Sequence, residues 1–126
     1  MIGQNNVLNI RYNQSNNWIG CTGQRRGFCD FRSIGCCIRA GFIILRNYQR
    51  KYGIFSVSDV ISRWAPPVEN PTRSYIDYIC RNMHVCKTTS IWSNISLFIS
   101  CLCFFETGYD ISEIDVKRCL KGWNLL

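Results

Sequence analysis

Carboxylates are scarce in this chain. Eight acidic residues stand against 15 lysines and arginines, and only three of the acids are glutamates: Glu69, Glu106 and Glu113. The resulting net charge of +7 points to an anionic partner, whether a nucleic acid, lipid headgroups or a wall polymer, and away from a cationic one. There is a single histidine, His84, and no Cys-x-x-Cys pair among nine cysteines, so a zinc knuckle has no framework. The longest apolar stretch, residues 91–105, is shorter than the roughly 20 residues that a bilayer requires, and Ser93, Asn94, Ser96 and Ser100 interrupt it. It is expected to be a buried helix. The first residues carry no basic-then-apolar signal pattern, so synthesis in the cytoplasm is the expectation. No charge run, repeat or low-complexity tract breaks up the 126 residues, which implies one domain over 1–126.

What is present is hydrophobic periodicity. Residues 1–32 are rich in Asn, Gly and Gln and suggest an irregular or β-hairpin segment, with Trp18, Ile19, Phe28 and Phe31 flanking a turn within 21–27. A helical core over 33–122 is expected to follow. Ser33 can cap a helix from Ile34 to about Tyr52, with apolar residues recurring on one face and Gly53 ending it. Ser56 or Ser58 starts a short helix ending at Trp64. Asn70 followed by Pro71 predicts an N-cap with proline at the first helical position. Ser90 is placed to begin the apolar helix that ends at Glu106-Thr107-Gly108, and Ser112 opens a last helix with acids in its first turn. The fold class expected is therefore mainly α, with about five helices in a compact domain.

The cysteines fall mostly among apolar residues, where a thiol behaves as a small buried hydrophobe. An odd number excludes full intramolecular pairing. Cys80 or Cys86 beside His84 is the one local arrangement for a nucleophilic thiol, and no orienting group stands near it. Neither a metal nor a cofactor is expected. The basic residues are scattered, with no basic helix or RNA-binding aromatic signature, so nucleic acid ranks behind other anionic partners.

The stretch Arg63-Trp64-Ala65-Pro66-Pro67-Val68-Glu69-Asn70-Pro71-Thr72 is the most informative, because it sets an acid between a rigid proline turn and a helix start. Glu69 can complement the helix dipole or serve a site. Taken with Asn5-Asn6-Val7-Leu8-Asn9-Ile10-Arg11, Trp18-Ile19-Gly20, Gly27-Phe28-Cys29-Asp30-Phe31, Ile38-Arg39-Ala40-Gly41, Tyr75-Ile76 and Phe105-Glu106-Thr107-Gly108, it resembles a small protein family common in phages and prophages. Members are usually labelled virion structural proteins. The chain departs from the family pattern at Val7 (usually proline), Cys21 (glutamine), Cys36-Cys37 (Tyr-Gly), Pro71 (aspartate) and Phe105 (often histidine). The last change removes an acid or base beside Glu106.

The resemblance implies a virion-associated protein, with other virion proteins as partners. The residues suggest a chemistry for it. Glu106 ends a strongly apolar helix, and a carboxyl partly buried there has its neutral form favoured, the state that a general acid for glycosidic cleavage needs. A helical domain with one such glutamate facing a cleft has the arrangement of lysozyme-like muramidases and lytic transglycosylases. The expected catalytic residues are Glu106 and Glu69, with Asp77 or Asp110 as other second carboxylates for hydrolysis; a transglycosylase needs only one acid. Candidate substrate-binding residues are Arg63, Trp64, Asn70, Thr72, Tyr75, Arg39, Arg11 and Asn5. Trp64 can stack on a sugar while Arg63 holds an anionic group, or Trp64 can be core and Arg63 can brace Glu69. Glu106 can equally be a helix-end acid paired with Arg11 or Arg39. Asn5, Asn9 and Arg11 can hydrogen-bond substrate or tie the irregular N-terminal segment to the helices, and tying is the expectation for Asn9. The leading expectation is a protein acting on peptidoglycan. Its rival is a non-catalytic virion structural or interaction protein.

Overall fold

In a computed structural model of the chain, describing residues 1–68 and 70–126, the N-terminal third wraps a helical core. Two antiparallel strands, β1 (Cys21–Arg25) and β2 (Phe28–Phe31), form a hairpin. Its turn is tighter than the 21–27 loop expected, because Cys21–Arg25 is itself a strand. Arg26 and Gly27 alone make the connection, both with positive φ (50° and 84°), as a two-residue hairpin turn requires to match strand twist. Residues 10–12 line the outer side of β2, with Cys29 N donating to the Ile10 carbonyl at 3.0 Å and Tyr12 N to the Gly27 carbonyl at 2.7 Å.

Five α-helices follow among the described residues, in the mainly α architecture expected. They are α1 (Ile34–Tyr52), α2 (Val57–Trp64), α3 (Thr72–Met83), α4 (Ile95–Thr107) and α5 (Glu113–Gly122). Ser33, Ser56 and Ser112 each accept a backbone N–H in the first turn of α1, α2 and α5, and left-handed Gly53 and Gly108 end α1 and α4. Two boundaries differ from expectation. Asn70 does not cap α3: Pro71 occupies the cap position without a side-chain bond, and the Asn70 amide instead donates to the Pro66 carbonyl at 3.1 Å. The apolar helix expected from Ser90 is broken into a 3-10 turn, Ile91–Asn94, and α4 proper, because Asn94 turns out of the helix and accepts from Leu97 N as a second cap.

The core is one cluster. It takes Val7, Leu8 and Ile10 from the N-terminal segment, Phe31 from β2, and the inward faces of all five helices. α4 lies at its centre and packs against α1, α3 and α5. Gly41 on α1 allows Leu8 to press directly on the helix backbone; a β-carbon there would overlap the Leu8 side chain. Asn6 is fully buried, and its carboxamide donates to the carbonyls of Ile10 and Cys29, both at 2.9 Å, and accepts from Ile10 N at 2.8 Å. That one side chain serves the buried Ile10 amide and Cys29 carbonyl and gives the Ile10 carbonyl, which already accepts from Cys29 N, a second donor. Cys37, behind it, directs its thiol to the same Asn6 oxygen at 3.5 Å. Burial pushes the thiols of Cys29 and Cys37 up to about 12, and that of Cys101 to about 11, so these cysteines behave as neutral core residues. No helix is long and apolar enough to cross a membrane among the described residues.

Candidate active site

The last turn of α4 leaves backbone carbonyls without helical partners and carries a half-buried glutamate. The N-terminal segment supplies what that turn needs. Asn9 holds a left-handed conformation (φ 52°), which Asn tolerates better than most residues, and turns its amide to the Glu106 carbonyl at 3.2 Å and to Glu106 Oε1 at 3.4 Å. Thr107 Oγ1 donates to the Val7 carbonyl at 2.9 Å, so consecutive residues of α4 grip the segment from Val7 to Asn9.

The second support of Glu106 comes from α2. Trp64 ends that helix, and Trp64 Nε1 donates to Glu106 Oε2 at 3.3 Å. The following loop is pulled tight by two side chains returning to its own backbone: Thr72 Oγ1 to the Ala65 carbonyl and Asn70 to the Pro66 carbonyl. Each carboxylate oxygen thus has one donor, and each bond is long, which leaves the carboxylate held but not saturated. Beneath it, Tyr75 of α3 is buried with its ring stacked on Phe105 at 3.9 Å. Its phenol is pushed far up by burial and, secondarily, by the Glu106 carboxylate beside it.

Above Glu106 opens a cleft of about 650 Å³. One wall is the N-terminal segment, with Asn9, Ile10, Arg11, Tyr12, Asn13 and Asn16; the other is built from Ile44 and Tyr48 of α1, Trp64 and Asn70, with Phe28 at one end. Four carboxamides and four aromatic rings dominate the cleft, beside two isoleucines, Arg11, and Glu106 as the one carboxylate among the described lining residues. Arg11 lies over the Phe28 ring, 4.9 Å from its centroid. At the rim Arg63 stacks on Tyr52, 3.8 Å from the ring centroid, and reaches within 5.5 Å of the Tyr48 ring. Burial raises the Tyr48 phenol, an effect that Arg63 partly offsets.

Of the residues singled out by sequence, Glu106, Trp64, Asn70 and Arg11 line the cleft, and Arg63 reaches it through Tyr48. Thr72 closes the loop behind Trp64, and Tyr75 lies under the floor. Two stand elsewhere. Arg39 stacks on Trp123 of the C-terminal region, 5.5 Å from the ring centroid, and Asn5 donates to the Phe31 carbonyl at 2.9 Å, tying the N-terminal segment to β2. Glu69 lies outside the described residues. Sequence reasoning favoured a tying role for Asn9 over substrate binding and passed over Tyr12, Asn13, Asn16 and Tyr48 as site residues. The available signal was the density of asparagines before residue 18, which read as turn composition. Among the described residues no group of three or more His, Cys, Asp or Glu is gathered to hold a metal ion.

No family model matches the chain. Over 52 residues it is 46% identical to Protein P5 of Pseudoalteromonas phage PM2. That likeness makes this a phage-related chain. The match covers 41% of the chain and 32% of the phage protein, so the two share about a third of the latter's length.

Proposed function

We propose that this phage-related protein binds the glycan strand of peptidoglycan in the cleft and cleaves it with Glu106 as the acid, as a lytic transglycosylase. The observation that carries the reading is a half-buried glutamate, the one carboxylate among the described residues that line a cleft of carboxamides and aromatic rings. Amides match the hydroxyl and acetamido groups of amino sugars, and aromatic faces stack on sugar rings. One acid suffices for this chemistry. Glu106 gives its proton to the glycosidic oxygen as the C1–O bond breaks, which releases the leaving sugar with a free hydroxyl. The C6 hydroxyl of the remaining sugar then bonds to C1, its proton returns to Glu106, and a 1,6-anhydro ring forms without water. Hydrolysis as in lysozyme would need a second carboxylate to direct water.

Loss of turbidity of purified peptidoglycan, with mass analysis of the products, tests the proposal. The native protein should clear the wall and leave anhydro ends; Glu106→Gln should abolish clearing while still sedimenting with the wall. Products heavier by one water would instead indicate a hydrolase.

A second reading has its own support. Asn9 and Trp64 both donate to Glu106, which therefore also braces three parts of the chain together. Wall binding without clearing by the native protein, with Glu106→Gln merely lowering the melting temperature, would favour a non-catalytic virion structural or interaction protein.

A further inference from the structure

Tyr75 carries a polar group where none is needed for packing. Its side chain is 1% exposed and its ring stacks on Phe105, a contact that phenylalanine would make equally well. Its hydroxyl lies beside the Glu106 carboxylate and the Trp64 indole, close enough to interact with both, yet makes a hydrogen bond of normal length and angle with neither. A buried hydroxyl without a partner costs free energy, and such groups in native proteins call for a reason. Burial keeps this phenol protonated, so toward a carboxylate it can act only as a donor.

The bonds that Glu106 already has explain what such a donor is for. Asn9 and Trp64 each hold one oxygen at 3.3 to 3.4 Å, and both come from the walls of the cleft that a ligand would fill. A Glu106 that turns to face a glycosidic oxygen must release at least one of them. Among the described residues, Tyr75 places a buried hydroxyl beside the carboxylate and outside the lining of the cleft. We propose that Tyr75 is a positioning residue: its buried hydroxyl takes up one oxygen of Glu106 and fixes the other toward the bond to be cleaved. This role rests on the proposed catalytic use of Glu106 and adds a residue that never touches the glycan.

Tyr75→Phe tests it, because that change keeps the ring and the stack on Phe105. On soluble peptidoglycan fragments the variant should lose about ten- to a hundredfold in kcat, with KM within about twofold and a melting temperature no lower than that of the native protein. Unchanged kcat, or a loss confined to KM, would overturn the role. The readout that does not depend on activity is the indole N–H resonance of Trp64, assigned with Trp64→Phe. Tyr75→Phe should shift it more when Glu106 is present than in a Glu106→Gln background, the excess being the part carried by the carboxylate rather than by the hydroxyl's own proximity to the indole. Equal shifts in both backgrounds, or none, would overturn the proposal even if the native protein clears no wall; an inactive native protein with the coupled shift would count against the transglycosylase reading alone.

Discussion

Thr107 and Val7, a hundred positions apart, are joined by a hydrogen bond of 2.9 Å from the threonine hydroxyl to the valine carbonyl. The same hydroxyl also reaches the Cys103 carbonyl at 3.1 Å, one turn back in α4. The last turn of the central helix is therefore the anchor of the segment that forms one wall of the cleft. Thr107→Val keeps the shape and removes the donor. It should lower stability by about 1 kcal/mol, measured by urea unfolding, and speed amide exchange at Leu8 to Ile10 more than elsewhere; Thr107→Ser should restore most of both.

Asn6 satisfies three backbone groups with one carboxamide at the centre of the wrap. Asn6→Ala leaves the Ile10 amide and the carbonyls of Ile10 and Cys29 without that partner in a dry environment. A loss of about 2–4 kcal/mol is expected. Denaturant unfolding checks it, and a loss below 1 kcal/mol would mean that water replaces the amide.

Gly41 and Leu8 share one space. Gly41→Ala alone should destabilise by about 1–3 kcal/mol through overpacking, and Leu8→Ala alone through the cavity that it leaves. Combined, the two should cost less than their sum, because the new methyl enters the space that leucine vacates. Additive losses in a double-mutant cycle would show that the helix moves rather than the side chain.

Cys37 should give the protein an alkaline limit. Its thiol is raised by burial from an ordinary value of 9.0 to about 12, so the folded state holds a proton that the unfolded chain releases. That contribution is complete below pH 9 and is lost as pH rises from 9 towards 12, with a slope of up to about 1.4 kcal/mol per pH unit for each such thiol. Cys29, raised to the same value by burial and then by neighbouring Cys21, acts in the same window. Stability followed between pH 8 and 11 should fall less steeply in Cys37→Ala than in the native protein, once the offset at pH 8 is subtracted.

Helix boundaries were legible because the forces that set them are local. Serines 33, 56 and 112 each accept a bond from the amide three residues ahead, and Gly53 and Gly108 take the left-handed turn that ends a helix, so a few adjacent residues suffice. Asn70 misled for the same reason. Its cap preference is as strong as that of serine, but closing the short loop from Ala65 to Thr72 brought the Pro66 carbonyl within its reach first. In the apolar run after Ser90, Asn94 was read as an interruption; its side chain restarts the helix.

The order of residues along the chain dictated where helices begin and end, which faces turn inward, and that Glu106 would finish an apolar helix. It could not show that Asn9, 97 positions earlier, and Trp64, 42 earlier, would meet that carboxylate. Nor could it distinguish the asparagines of a turn from those of a cleft wall. Backbone propensity and capping act over a few residues and are written locally. The cleft exists because burying Val7, Leu8 and Ile10 draws the N-terminal segment across the end of α4, and which polar side chains then face one another is settled by that packing alone.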